Sequence, residues 1–346
     1  MDAETEKGRL KSRSGRPTMM DVASLAGVSQ ATVSLVLNGT PGARLSDATK
    51  KKVRQAAEDI GYRLARREQR HPAAENGVIA FIADEVATDP WMSLAFDGAR
   101  AKALEFGLTT CLYVLQGDAA SEKILLDQLA EQRVAGIIYG TILTRRVEPS
   151  PSLFDQRTVL LNCYDGKRRL PSVVPGELVG GRTATERLLN AGRKRIGMIN
   201  GQEGLDASRD RLKGYRQALA SHDIPFDADL VKPGNWEPSS GYEMARELMA
   251  LDNPPDAIFC ANDMMAVGCY DALRELGKTI PGDVAVIGFD DREIAQFTRP
   301  PLTTLVLPHY EMGEMAAELI IDAAGGLEAG PRQIKVECEL VERESV

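Results

Sequence analysis

The chain has 346 residues, which at roughly 150 residues per domain predicts two or three globular units. Its contents of 43% hydrophobic and 27% charged residues are typical of folded, soluble proteins. No apolar run approaches the roughly 18 residues that a membrane-spanning helix needs. The polar N-terminal segment, MDAETEKGRLKSRSGRP, lacks the apolar stretch of a secretory signal, so we expect a cytoplasmic protein.

The charge is divided unequally along the chain. Residues 1–75 contain 14 Lys and Arg against 9 Asp and Glu, a net charge of +5, whereas the remainder contains 28 against 41, a net charge of −13. A basic first segment on an acidic body is expected if only that segment meets a polyanion. Terminal segments can also be basic by chance, so the charge alone leaves nucleic-acid binding open.

Three short helices are predicted within residues 18–62. The first opens at Thr18 and ends at Gly27, Ser29 can cap the second, and Ser46 can cap the third. Two helices joined by one glycine turn form a helix-turn-helix, which presents its second helix to the major groove of DNA. The alternative is a small packing bundle with solvated hydroxyl groups.

The second helix contains no Lys or Arg, which does not exclude DNA binding. Short polar groups can read base edges while flanking cations meet the phosphates. The residues that we expect to contact DNA are Thr18, Ser29, Gln30, Ala31, Thr32, Ser34, Asn38, Arg44 and Arg63. We place Gln30, Thr32 and Ser34 on the outer face of the helix. The Arg-rich segment 63–76 is expected to be a hinge that adds minor-groove or phosphate charge, or else a solvated linker.

From residue 77 onward, apolar runs alternate with amphipathic ones. The predicted strands are VIAFIA, TTCLYVL, VAGIIYG, TVLLNC, RIGMIN, DAIFCAN, VAVIGF and TTLVL. Alternating strands and helices predict an α/β body of doubly wound parallel sheets with helices on both faces. The segment has no G-x-G-x-x-G, no P-loop and no G-x-S-x-G motif, which disfavours dinucleotide, nucleoside-triphosphate and serine-hydrolase enzymes.

Polar residues follow several of these strands, where doubly wound sheets bind ligands. The residues expected to bind a small effector are Asp84, Trp91, Asn162, Arg211, Trp236, Asn262 and Asp290. Each has a simpler explanation as a helix cap, a surface ion pair or a packing residue. The five cysteines lack C-x-x-C spacing, and the three histidines lack metal-ligand neighbours at helical spacing. We therefore expect buried free thiols, no metal centre and no cofactor.

The motifs TMMDVASLAGVSQATVSLVLNG and LSDATKKKVRQAAEDIGY resemble the DNA-binding region of the lactose-repressor/galactose-repressor (LacI/GalR) family. RLKGY, FCANDMMAVG and VIGFDD resemble its ligand-binding core, which is similar to periplasmic binding proteins. By that resemblance, Gln30 and Ala31 read bases. The chain departs from the family pattern at Leu35, often a polar position, at Pro175, usually Asp, and in the hinge, where His71 lies near the position of the family's leucine wedge.

The resemblance also implies a domain organisation. A flexible basic tail spans residues 1–17, the helix-turn-helix domain 18–62, the hinge 63–76 and a two-lobed effector core 77–346. The core crosses between its lobes three times, so lobe 1 is expected to comprise residues 77–171 and 305–326, and lobe 2 residues 172–304 and 327–346. The segment MMAVGCYDAL is expected to contribute to a dimer face.

These features predict a transcriptional regulator, specifically a repressor of carbohydrate-utilisation genes. A homodimer, with a tetramer left open, would read a near-palindromic double-stranded operator, and a small sugar-like effector would bind between the lobes. Induction and corepression both remain open. One alternative is a cytoplasmic carbohydrate-active enzyme, although no base-plus-nucleophile arrangement stands out. Another is a DNA-binding protein that ignores small molecules.

Overall fold

The computed structural model of the chain describes residues 19–38, 46–60, 77–115, 117–327, 330 and 332–346. The chain divides into two units, residues 1–70 and residues 71–346.

The described part of the first unit is the expected trio of helices. Its elements are α1 (Met19–Ala26), α2 (Gln30–Asn38) and α3 (Asp47–Asp59). Each helix contributes a fully buried valine to one small core, Val22, Val33 and Val53 respectively. The predicted cap of α3 is confirmed, because the Ser46 hydroxyl accepts a hydrogen bond from the Thr49 N–H at 3.1 Å.

Strands and helices alternate over most of the second unit. Its helices are α4 (Trp91–Glu105), α5 (Ala119–Gln132), α6 (Glu177–Asn190), α7 (Asp206–Ser221), α8 (Pro238–Met249), α9 (Asp263–Glu275) and α10 (His309–Ala324). Its strands are β1 (Val78–Ala83), β2 (Thr109–Val114), β3 (Gly136–Val147), β4 (Thr158–Asp165), β5 (Ser172–Pro175), β6 (Ile196–Asn200), β7 (Val231–Pro233), β8 (Ala257–Cys260), β9 (Ala285–Ile287), β10 (Thr304–Leu305), β11 (Gln333–Val336) and β12 (Leu340–Val341).

Two parallel sheets define two lobes. The sheet of lobe 1 has the strand order β11-β5-β4-β3-β1-β2, and the sheet of lobe 2 has the order β7-β6-β8-β9. Alternate residues of a strand point to opposite faces, so each sheet has a core on both sides. In β1, Phe81 packs toward α4 and α10, whereas Ile82 packs toward α5. The predicted doubly wound α/β architecture is confirmed.

The expected lobe boundaries were wrong at all three crossings. Strands β5 and β11, which we had assigned to lobe 2, pair with each other in the sheet of lobe 1, with Val173 aligned between Leu161 and Ile334. Strand β10 includes Leu305, assigned to lobe 1, yet it pairs with β12 beside lobe 2. Each crossing falls later than expected, because the chain completes a strand before it leaves a lobe.

Helices within each lobe approach closely at glycines. A Cβ on Gly241 of α8 would lie 2.0 Å from the Met265 carbonyl oxygen, and one on Gly268 of α9 would lie 1.8 Å from the Pro238 carbonyl oxygen. The same reciprocal arrangement occurs between α4 and α10 at Gly98 and Gly313, and between α6 and α7 at Gly181 and Gly214. These contacts leave no room for a side chain, so they fix the spacing of each helix pair.

Two smaller expectations need correction. Met265 and Tyr270, proposed for a dimer face, are buried in the core of lobe 2. The five cysteines are free thiols as expected, but Cys111 on β2 is exposed while the other four are buried. In both cases the sequence pattern shows that a segment is apolar and does not show which neighbour covers it.

Candidate functional site

In the first unit, α1 and α2 meet through one tight turn. Gly27 has a φ of +65°, a left-handed conformation that residues with a Cβ rarely adopt. The Val28 N–H donates to the Ala23 carbonyl oxygen at 3.1 Å across this turn. The Ser29 hydroxyl accepts from the Thr32 N–H at 3.0 Å and so caps α2, as predicted. The two helices therefore form a helix-turn-helix.

One expected DNA contact points the wrong way. Thr32 is buried, and its hydroxyl lies 2.8 Å from that of Ser29, so it belongs to the cap rather than to the outer face of α2. Gln30 and Ser34 are half-buried. The sequence signal was ambiguous because a threonine in the first turn of a helix can serve either the cap or the surface.

Five expected DNA contacts fall wholly or partly outside the described residues. Thr18, Arg44 and Arg63 lie outside the described residues, as does the hinge with His71. Ala31 and Asn38 belong to α2 by their backbone, but their side chains are outside the described part.

In the second unit, the buried Arg211 of α7 lies at the centre of a polar cluster. Its Nε donates to Glu177 Oε2 at 2.6 Å and its Nη2 donates to Glu177 Oε1 at 3.1 Å, a bidentate pair. Its Nη1 donates to the Ala261 carbonyl oxygen. The guanidinium carbon lies 3.6 Å from the centre of the Phe289 ring. Because α6 and α7 pack closely, Glu177 at the start of α6 reaches Arg211, and both residues are less than 5% exposed.

Asp290 lies beside this pair, just after β9. Its Oδ1 is 3.9 Å from Arg211 Nη1, and its Oδ2 is 3.5 Å from Arg292 Nε. Burial raises the pKa of Asp290 to about 7, although both arginines act to lower it. Its φ of +115° is strained for a residue with a Cβ, and such strain is concentrated at functional sites.

Asn262 and Trp236 form the next part of the cluster. The Asn262 Oδ1 accepts from the Met265 N–H at 2.8 Å and caps α9, while its Nδ2 donates to the Trp236 carbonyl oxygen at 3.0 Å. Trp236 has a φ of +72°. Its ring packs against Gly201, where an added Cβ would lie 1.9 Å from the nearest ring carbon. The buried indole N–H has no partner in the described part of the chain. Asn262 therefore fixes the loop that carries Trp236.

Lobe 1 meets this cluster through Arg292. Arg292 donates to Asp89 of lobe 1, and its guanidinium lies 4.9 Å from the centre of the Trp91 ring. The Trp91 ring in turn stacks on the imidazole of His309. His309 is fully buried, and burial lowers its pKa to about 3, so the ring is neutral. Trp91 is the first residue of α4.

Asp84 and Asn162 have a different role from the one expected. Asp84 accepts from the Ile142 N–H at 2.8 Å and from Arg145 at 3.0 Å. Asn162 donates to the Ile142 carbonyl oxygen at 3.0 Å and accepts from the Thr144 hydroxyl at 2.5 Å. Both side chains thus brace the irregular middle of β3 within lobe 1. In the described part of the chain, their hydrogen bonds do not reach the Arg211 cluster.

Sequence reasoning missed five members of the cluster: Asp89, Glu177, Phe289, Arg292 and His309. Phe289 and Arg292 lie within two residues of Asp290 in the segment GFDDR. Their closeness in sequence to a candidate residue could have indicated that they belong to the same site. Glu177 offered no signal beyond its place in the first turn of a helix, because its partner Arg211 is 34 residues away.

Among the described residues, neither a metal-binding cluster nor a membrane-spanning helix is found. No group of three His, Cys, Asp or Glu side chains there could hold a metal ion. Among the helices described, none combines the length and the apolar character needed to cross a membrane.

Comparison with known families and proteins agrees with this arrangement. The model for bacterial regulatory proteins of the lacI family matches residues 18–63, and that for the periplasmic binding protein-like domain matches residues 185–346. The transcriptional regulator CelR of Thermobifida fusca is 33% identical over 346 residues, which cover 96% of this chain and 99% of that protein. The transcriptional repressor CytR of Escherichia coli K12 is 32% identical over 345 residues, 97% of this chain and 98% of that protein.

A solved structure is similar over the same length. The complex of the transcriptional regulator CelR with cellobiose has a TM-score of 0.66 and 31% identity, and the match covers 96% of this chain and 100% of that one. Relatives at this level of identity span nearly the whole chain, from the helix-turn-helix to the second lobe. The chain therefore belongs to the LacI family of DNA-binding transcription regulators.

Proposed function

We propose that this regulator represses carbohydrate-utilisation genes, and that a small sugar-like effector bound between the lobes sets its affinity for operator DNA. It acts in the cytoplasm as a homodimer, because a two-fold symmetric protein matches the two halves of a near-palindromic operator. The relative solved with cellobiose supports a carbohydrate effector. Its relatives are regulators, and we assign it no catalytic activity.

The observation that carries this proposal is the buried pair of Arg211 and Asp290 beside the ends of the lobe 2 strands. Doubly wound sheets bind ligands at that edge. A guanidinium donor next to a carboxylate acceptor suits hydroxyl groups, which both donate and accept. The ring of Trp236 adds an apolar face of the kind that packs on sugar rings. The Trp91 ring is covered by His309 and Arg292, so we propose that it positions Arg292 instead. Two proposed effector residues, Trp236 and Asp290, are among the seven described non-glycine residues with positive φ.

The effector can change DNA binding by the helix-turn-helix domain only if it binds two conformations of the core with different affinities. The contact between Arg292 of lobe 2 and Asp89 of lobe 1 lies next to Asp290, so a ligand at Asp290 would alter the contact between the lobes. Asp84 and Asn162 support this site by fixing β3. We propose that residues 18–62 form the helix-turn-helix domain and residues 63–76 the hinge. In the core, β5 and β11 belong to lobe 1, whereas β10 and β12 lie beside lobe 2.

On the DNA side, we propose Gln30 and Ala31 as the residues that read bases. Ser34 and Asn38 lie further along α2, and Ser29 stands at its start, where backbone groups approach phosphates. Thr18, Arg44 and Arg63 complete the proposed DNA contacts. Thr32 is not included, because its hydroxyl belongs to the cap of α2.

The test begins by selecting an operator from a random pool of duplexes with the full-length protein. Operator affinity is then measured by fluorescence anisotropy with and without a panel of neutral sugars that includes cellobiose. We expect at least one sugar to change the affinity about tenfold or more, a coupling free energy of at least about 1.4 kcal/mol. An increase indicates corepression and a decrease indicates induction.

Two outcomes would overturn the proposal. Tight operator binding that no sugar in the panel changes would favour a DNA-binding protein without an effector. If chromatography of the mixture shows that the protein converts a sugar to a product, a carbohydrate-active enzyme would be favoured.

A further inference from the structure

The positive charge of Arg211 is already matched within the protein. Both oxygens of Glu177 accept from its guanidinium, at 2.6 and 3.1 Å. A bidentate pair of this kind, with both partners buried, is fixed in orientation and leaves the arginine without net charge to offer. Arg211 therefore acts in the cleft as a hydrogen-bond donor rather than as a cation.

A count of the Arg211 donors shows what remains for a ligand. A guanidinium has five N–H groups. Two donate to Glu177 and one to the Ala261 carbonyl oxygen, which leaves one on Nη1 and one on Nη2. The Nη1 atom lies 3.9 Å from Asp290 Oδ1. A single hydroxyl oxygen can lie about 2.8 Å from both atoms, accepting from Arg211 and donating to Asp290.

The rest of the cluster supplies no spare positive charge. Arg292 is paired with Asp89 and lies 3.5 Å from Asp290. His309 is neutral because burial lowers its pKa to about 3. Three carboxyl groups, those of Asp89, Glu177 and Asp290, therefore face two guanidinium groups. An anionic ligand would enter next to this excess of carboxyl groups, which is unfavourable in a buried site.

We propose that Glu177 is a specificity-determining residue, which restricts the effector to uncharged polyhydroxylated molecules and excludes sugar phosphates and sugar acids. This inference rests on the proposed function, because it concerns the same cleft. At a pH above 7, where Asp290 is ionised, a carboxylate or a doubly ionised phosphate ester has no proton to donate to it. A hydroxyl group can donate to Asp290 and accept from Arg211.

The test measures ligand binding to the full-length protein without DNA, by titration calorimetry. The probes are inorganic phosphate, glucose and cellobiose, and the matched anions glucose 6-phosphate and gluconate. The variants are Glu177→Gln, which keeps the side-chain shape but removes the charge, and Glu186→Gln as a control. Glu186 lies on the same helix and pairs with the exposed Arg182 at 2.6 Å, away from Arg211.

In the wild-type protein we expect glucose 6-phosphate and gluconate to bind about 100-fold more weakly than the neutral sugars. Glu177→Gln should gain at least tenfold in affinity for inorganic phosphate and glucose 6-phosphate, because Arg211 then carries an unmatched charge. Glu186→Gln should bind every probe as the wild type does.

The proposal is overturned if the wild type binds the anions as tightly as the neutral sugars, or if a folded Glu177→Gln gains no phosphate affinity. Circular dichroism establishes whether that variant folds. If Glu177→Gln does not fold, Glu177→Asp replaces it in the test. This variant retains the carboxylate, so the proposal requires that it bind phosphate as weakly as the wild type does. Since no DNA is present, these outcomes are separate from those of the operator experiment, which alone decides whether a sugar controls DNA binding.

Discussion

The Trp91 indole stacks on the His309 imidazole, with ring centroids 5.3 Å apart and an angle of 18° between the ring planes. Neither imidazole nitrogen has a hydrogen-bond partner in the described part of the chain. An ordinary histidine titrates at 6.5, whereas burial lowers the pKa of His309 to about 3. Between these two values the unfolded chain binds a proton that the folded chain does not. His309 therefore lowers the free energy of unfolding progressively as the pH falls from about 6.5 toward 3.

Replacing His309 with Phe should remove this pH dependence while keeping an aromatic ring against Trp91. Relative to wild type, the free energy of unfolding of His309→Phe should rise by about 2 kcal/mol between pH 7.5 and pH 5. Urea unfolding followed by tryptophan fluorescence measures this, because both tryptophans lie in the second unit. The comparison at each pH cancels the titration of Asp290, which is common to both proteins. An equal difference at the two pH values would contradict the buried, neutral state of His309.

Asp290→Ala should abolish the response to the effector without changing operator binding. The substitution removes the acceptor beside Arg211, and Asp290 belongs to the second unit rather than to the helix-turn-helix. Operator affinity in the absence of sugar should stay within about twofold of wild type, while the shift caused by the effective sugar falls below detection in the anisotropy assay. The exposed Asp252 provides the control, and Asp252→Ala should respond normally. A normal response from Asp290→Ala would remove Asp290 from the site.

The sequence predicted the elements well because they depend on local pattern. All eight predicted strands are present, and the caps at Ser29 and Ser46 follow from residue type and position. Strand β5, with four buried residues, was missed because the segment is short and ends at Pro175. Its place in lobe 1 depends on pairing with β11, which begins 161 residues after β5 does, and no local pattern carries that information.

The candidate site was predicted less completely than the fold, for a physical reason. Polar residues at strand ends were found, but the sequence cannot say which of them already have partners. Asn162 and Asp84 satisfy their polar groups on β3, whereas Arg211 and Asp290 lie together in the cluster. The Glu177 carboxylate that neutralises Arg211 lies on a different helix, so its role emerges only when α6 and α7 pack.

Substitution of Gln30 should change which operator base is preferred. Gln30 begins α2, the helix that a helix-turn-helix presents to the major groove, and an amide side chain can form two hydrogen bonds with adenine. Gln30→Ala should lower discrimination at one position in each half of the operator by about 1–3 kcal/mol. Competition binding with single-base operator variants measures this. Gln128→Ala, an exposed position on α5 of lobe 1, should leave every preference unchanged. Unchanged preferences for Gln30→Ala would argue against this docking of α2.

Gly268→Ala should destabilise the second unit and weaken its response to the effector. Alanine gains about 1 kcal/mol over glycine in helix propensity. Here, however, the added Cβ would lie 1.8 Å from the Pro238 carbonyl oxygen, a backbone atom that moves only if α8 and α9 separate. We expect a net loss of at least about 1 kcal/mol in the free energy of unfolding.

Separation of α8 from α9 should also lengthen the 3.0 Å hydrogen bond from Asn262 to the Trp236 carbonyl oxygen, since Trp236 precedes α8 and Asn262 caps α9. Weaker binding of the effective sugar should therefore accompany the loss of stability in Gly268→Ala. Gly330→Ala is the matched control, because a Cβ there meets open space and the backbone is not in the left-handed region. If Gly268→Ala lost stability but bound the sugar normally, the spacing of α8 and α9 would not control the position of Trp236.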